Sequence, residues 1–158
     1  MTTFPITPQG LEKLREELRR LITKERPAIV KEIEKGRSFG DLSENAEYHA
    51  AKERQALNER RIQELEIKIA HAKVIDISTL SGPKICFGAT VHLMDEDTKA
   101  YVVYQIVGED ESDIKSGKIS VHSLLSRELI GKEEGTSFEF STPRGEKSYF
   151  IKKVEYIV

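Results

Sequence analysis

One cysteine, Cys86, is all that the 158 residues contain. No internal disulfide can form, and a reducing compartment is the expectation. Cys86 itself reads as a small buried apolar residue. No apolar run approaches the roughly 20 residues of a membrane span. The opening MTTFPITPQG lacks a basic stretch followed by an apolar core, so no signal peptide is expected. These absences describe a soluble, cytoplasmic chain with no membrane contact. A net charge of only −2 excludes a protein that coats nucleic acid by bulk electrostatics. There is no P-loop, no dinucleotide fingerprint and no Ser-His-Asp or Cys-His arrangement. The four histidines, His49, His71, His92 and His122, lack metal-ligand spacing. No internal repeat or low-complexity tract is present.

What is there is charge and periodicity. Charged residues make up 33% of the chain and apolar residues 38%, a balance that suits a long solvated helical part better than one round core. Leu11, Leu14, Leu18 and Leu21 are spaced by three, four and three. Continued, that register gives Glu25, Ala28, Glu32 and Lys35. The spacing returns at Tyr48, Ala51, Gln55, Asn58, Ile62, Leu65, Ile69 and Ala72. Such spacing lays one stripe along one face of each of two helices. Paired antiparallel, Leu11 with Ala72, Leu14 with Ile69, Leu18 with Leu65 and Leu21 with Ile62 each add to 83. The pattern predicts an antiparallel coiled-coil hairpin that folds back between Asp41 and Leu42, with a seam that turns polar toward its tip. TPQG should start the first helix, with Thr7 as N-cap and Pro8 in the first turn. Pro27 should kink or break the first arm, and Gly36 and Gly40 should loosen the backbone at the reversal.

Beyond Val74 the periodicity shortens to β-branched and aromatic runs: KICFGATVHLM, AYVVYQIVG, KISVHS, SFEFST and KSYFIKKVEYIV. Turn signals separate them. Only LLSRELIGKEEG reads as a short helix, with Ser123 as its N-cap. The expected fold class is α+β: residues 1–76 form the hairpin, with an acidic tip near 38–48, and residues 77–158 form a small antiparallel β-sheet domain with one helix. Up to Asp76 there are 15 basic and 14 acidic residues, and beyond it 10 and 13.

Asp41 and Glu44 stand at the predicted tip. As a capping box, Asp41 would be the N-cap of the second arm and Glu44 its N3 residue, and both suit a helix N-terminus electrostatically. As a metal half-site, the two carboxylates suit a hard cation such as Mg²⁺. They are too few to fill its six-ligand shell, so the isolated chain is expected to hold no metal stably. A partner or a phosphate would supply the rest. The basic residues of the arms fit a solvated exterior paired with neighbouring glutamates. Arg37 and Lys52 lie within a few turns of the acids, where a nucleic-acid phosphate would meet them.

The tip segment GDLSENAEYHAAKE, the opening ITPQGLEKLREEL, the strand start FGATV, YQIVGEDESD and the ISVHS…LIGKEEG segment together resemble the bacterial Gre transcript-cleavage factors, over essentially the whole chain. The resemblance implies a C-terminal domain similar in fold to FKBP-type prolyl isomerases, docked at the rim of the secondary channel of bacterial RNA polymerase. It implies a hairpin that enters the channel and brings Asp41 and Glu44 to the active centre. There they share a Mg²⁺ with the polymerase and orient the attacking water. The enzyme's own endonuclease then cleaves the nascent RNA 3′ end of backtracked complexes. On this view the factor is not itself an enzyme; it is expected to be a monomer, with Arg37 and Lys52 contacting RNA. The alternative is a homologue that occupies the channel and inhibits. Such homologues rework the tip, which is intact here as GDLSEN. The pattern departs from the family at Leu124, where a proline is usual, and at Glu128, where a small residue is common.

Overall fold

The computed structural model describes residues 3–41 and 45–157. The chain divides into two compact units: residues 11–72, and residues 3–10 together with 73–157. Helices α1 (Pro8–Arg20), α2 (Arg26–Arg37) and α3 (Ala46–His71) supply the helical arms. Thr7 caps α1 as expected: its hydroxyl oxygen accepts the Gly10 N–H at 3.1 Å, and Pro8 takes the first helical position, where no N–H is needed.

The second arm follows its predicted register. Ala51, Ile62 and Leu65 are buried, and the remaining seam residues from Tyr48 to Ala72 are half-buried. The first arm obeys the register only as far as Leu21, with Leu11 and Leu14 buried and Leu18 half-buried. Beyond that, Ala28, Glu32 and Lys35 are exposed, while Ile29, Ile33 and Gly36 are buried. The stripe has moved by one residue. Its cause is a π-helical turn at Leu21–Glu25, closed by the Arg26 N–H donating to the Leu21 carbonyl five residues back. A π-turn winds one extra residue into the helix. Pro27 follows directly, lacks an N–H, and would crowd the carbonyl of Thr23 in a regular α-helix. The predicted break at Pro27 is therefore realised as a wider turn just ahead of it.

The extra residue moves the pairing too. Gly36 lies against Tyr48, and Ile29, Ile33 and Ala51 form one cluster with Tyr48. Gly36 with Tyr48 and Ile33 with Ala51 add to 84, where the basal pairs add to 83. The expectation of a seam turning polar in both arms is thus corrected: the first arm stays apolar to Gly36, and only the second presents polar seam residues, Gln55 and Asn58. Asn58 is served by the π-turn, its Nδ2 donating to the Leu21 carbonyl at 3.4 Å. The role expected of Gly36 is also corrected. A Cβ there would stand 2.8 Å from the Tyr48 Cα, so this glycine permits close helix approach and does not loosen a turn. Ion pairs cross the seam at its edges. Arg26 grips Glu59 through two bonds of 2.8 Å, and Arg61 grips Glu17 at 2.7 and 2.9 Å.

In the second unit, β1 (Phe4–Ile6) pairs with β2 (Ala72–Val74). The five expected strands are β3 (Thr90–Asp95), β4 (Tyr101–Val107), β5 (Lys118–Ser120), β6 (Ser137–Thr142) and β7 (Gly145–Glu155), in the order β5-β4-β3-β7-β6. All neighbours are antiparallel except β4 and β5. Alternation buries Val91 and Leu93 of β3 against Ile106, Ile151 and Leu129 of helix α4 (Leu124–Leu129). Ser123 caps α4 as expected, accepting the Ser126 N–H at 3.1 Å. Glu111, within the IVGEDE run, receives the Thr7 N–H at 3.0 Å, the Thr7 hydroxyl, and the Gly108 N–H at 2.9 Å. Its carboxylate occupies the space a side chain at Gly10 would need. Cys86 corrects its expectation. It is exposed because its neighbour Ile85 takes the core position, fully buried.

These placements fix the first two predictions. Ile33→Ala should lower the hairpin's unfolding free energy by about 2–5 kcal/mol, whereas Glu32→Ala should stay within about 1 kcal/mol; urea unfolding of both variants checks the shifted register. The Glu17 carboxyl is held below its ordinary value chiefly by the Arg61 hydrogen bonds. A depressed folded-state value means that this stabilisation is present above the unfolded value, about 4.3, and is lost as pH falls through the folded one. Stability should therefore drop on acidification below about pH 4, and Glu17→Gln should remove part of that drop in a pH series of urea midpoints.

Candidate functional site at the hairpin tip

The first arm ends in an ordered turn. Ser38 caps α2: its N–H reaches the Glu34 and Lys35 carbonyls, and its hydroxyl donates to Lys35 O at 2.6 Å. The Phe39 N–H donates to Gly36 O at 3.2 Å, and the Gly40 N–H to Arg37 O at 3.3 Å. Gly40 then takes φ = 100°, a conformation that costs glycine little and other residues more. Asp41 follows, exposed.

The second arm begins at Asn45. Its Oδ1 accepts the Tyr48 N–H at 3.1 Å, and its Nδ2 donates to the Gly36 carbonyl in the other arm. One side chain therefore caps α3 and ties both arms together below the tip. This corrects the capping-box expectation. The N-cap is Asn45 and its N3 residue is Tyr48, so Asp41 is not the cap of the second arm. Glu44 lies outside the described residues. The capping of α3 that the sequence assigned to an acid is done by an amide.

Of the two cations singled out, Arg37 closes α2, is exposed, and makes no ion pair among the described residues. Lys52 is exposed on α3 and donates to Gln55 Oε1 at 3.0 Å. Phe39, Asp41, Asn45, Ala46 and Glu47 line an open depression of about 400 Å³. A second groove of about 330 Å³ runs between the arms below it, lined by Glu32, Lys35, Glu47, Ala50, Ala51 and Arg54. Arg54 there pairs with Glu32, and with Glu25 at 3.7 Å. Among the described residues no three His, Cys, Asp or Glu side chains converge on a point where they could hold a metal. An exposed carboxylate such as Asp41 is chemically suited to a hard cation whose remaining ligands come from elsewhere.

Sequence reasoning missed Asn45, Gly36 and Phe39. Asn45 carries the signal of a cap-former just before the helical run, but Asp41 and Glu44 fit the capping-box spacing as well. The signal for Gly36 was hidden by the register slip. Phe39 has none beyond its type.

Comparison with known proteins finds relatives by sequence over both units. Residues 4–74 match the family model described as "Transcription elongation factor, N-terminal", and residues 80–156 match "Transcription elongation factor, GreA/GreB, C-term". The transcription elongation factor GreA of Brucella canis is 54% identical over 157 residues, covering 99% of this chain and all of that protein. GreA of Brucella abortus gives the same figures. Among solved structures, GreA factor homolog 1 (Gfh1) of Thermus thermophilus aligns over 97% of this chain and 99% of its own at 24% identity, with a TM-score of 0.44. The GreA/GreB factor of Nitrosomonas europaea aligns over 98% and 100% at 19% identity, also with a TM-score of 0.44.

Asn45→Ala should cost about 1 kcal/mol from the lost cap, while Asn45→Asp should keep the cap and lose the bond to Gly36. Urea unfolding of both variants should rank them wild type, Asp, Ala in falling stability.

Proposed function

This chain belongs to the GreA/GreB family of transcription elongation factors, and on that footing we propose that it acts on backtracked bacterial RNA polymerase. The hairpin enters the secondary channel from a sheet domain docked at the rim. The tip then stimulates cleavage of the extruded nascent RNA 3′ end by the polymerase. The chain supplies groups to a reaction that the polymerase performs and is not itself an enzyme.

The observation that carries this reading is an exposed carboxylate at the end of the first arm, next to a clamp that joins the two arms. Asn45 caps the second arm and clamps it to the first. Asp41 is exposed just beyond that clamp. A carboxylate carried beside such a clamp has less freedom to lose when a partner meets it. Asp41, with Glu44, would hold a Mg²⁺ shared with the polymerase active centre; when bound, such an ion stabilises charge on the attacking and leaving oxygens of phosphoryl transfer. The carboxylates would also orient the attacking water by accepting hydrogen bonds from it. Arg37, exposed and outside any ion pair among the described residues, is the stronger candidate for an RNA phosphate; Lys52 must first leave Gln55. The braced arms below are what allow a long, thin element to deliver these groups to a fixed point.

The test uses polymerase backtracked on 5′-labelled RNA in Mg²⁺. Wild-type protein should shorten the RNA quickly, and Asp41→Ala/Glu44→Ala should lose at least about 100-fold in rate while still binding polymerase. Binding by the wild type without shortening would instead make the chain a channel-occupying inhibitor.

A further inference from the structure

The tip carries one residue that the proposed chemistry leaves unused. Of the six phenylalanines, all described, Phe39 alone is exposed, at 59%. Phe138 is buried in the sheet core, and the other four are half-buried. Among the described residues Phe39 makes no ring stack. Tyr101, the other strongly exposed aromatic, is held by its hydroxyl on His92 Nδ1 at 2.5 Å. Phe39 has no polar handle of that kind.

Its backbone is nevertheless ordered. The helix runs to Arg37, and the Phe39 and Gly40 N–H groups both donate back into the last turn of α2. The ring is thus carried on a fixed turn and left uncovered beside the depression it lines with Asp41. Arg37, two residues before it, is exposed and outside any ion pair among the described residues. A cation and a bare aromatic face on one short segment match the two halves of an unpaired nucleotide, phosphate and base. An apolar protein pocket would match the ring and leave the cation unanswered.

We propose that Phe39 is a positioning residue: its ring stacks on an unpaired base of the extruded RNA 3′ segment and fixes that segment against the carboxylate of Asp41. The proposal rests on the cleavage-stimulating function proposed above. Stacking contacts every base, more strongly the larger purines, so Phe39 also gives the factor a mild preference for purines.

The experiment compares full-length wild type, Phe39→Leu and Phe39→Tyr. Each is added to polymerase backtracked on RNAs that differ only in having purine or pyrimidine in the extruded segment. Phe39→Leu keeps apolar bulk and removes the π face; Phe39→Tyr keeps it. At saturating factor, Phe39→Leu should cleave about fivefold more slowly, the effect of losing one weak base–aromatic stack. Its purine-to-pyrimidine ratio should fall toward one, the factor concentration for half-maximal rate should hold, and Phe39→Tyr should match the wild type. Equal rates for Phe39→Leu and wild type overturn the inference while leaving the function of the tip acids standing. A rise in half-maximal concentration with the saturated rate unchanged overturns it in favour of a protein pocket. No cleavage by the wild type removes the function beneath it, and the inference falls with it.

Discussion

The hairpin depends on how one unmatched residue is accommodated. Two antiparallel helices share a seam only if their stripes stay in phase, and the first arm contains one residue more than its partner can match. The chain takes it up in the turn at Leu21–Glu25, directly ahead of a proline that could not have continued a regular helix. Below the turn the arms meet in one register, and above it in a register one residue later. The consequence is chemical as well as geometric. Without the turn, Glu32 and Lys35 would face the second arm; with it, Ile33 and Gly36 do. An apolar, closely approaching distal seam brings Gly36 close enough to Tyr48 for Asn45 to reach its carbonyl.

Charge works on the outside of that seam. Arg26 with Glu59 and Arg61 with Glu17 are two-bond grips between helices, and their fork geometry fixes relative position better than a single contact could. Exposed pairs contribute modestly to stability. Their value lies in opposing sliding of one arm along the other, which an apolar stripe resists weakly. In the second unit Glu111 plays the comparable part, gathering donors from Thr7 and Gly108 around one carboxylate.

Much of this was legible in the sequence, and the misreadings have specific physical sources. The second arm is one uninterrupted helix of 26 residues, so its count of three and four survives from Tyr48 to Ala72. The first arm was legible only to Leu21, because a π-turn has no residue signature that such a count can register. Thr7 and Ser123 were found as caps because each is the only cap-former at its position. At the tip the Asp41–Glu44 spacing fits a capping box, and Asn45 was missed. Cys86 was misassigned because its type favours burial, whereas the strand-like alternation gave the interior to Ile85. Asp41 lies exposed just past the end of the first arm, and Glu44 lies outside the described residues.

The π-turn also bears on heredity. A single-codon insertion in one arm of an antiparallel pair would ordinarily throw every later residue off the seam, and selection would remove it or demand a matching insertion in the partner. A turn that can wind in one more residue gives such an insertion a place to stay. The bulge at Leu21–Glu25 therefore marks a point at which the arm can change length by one codon while the distal seam keeps its apolar face.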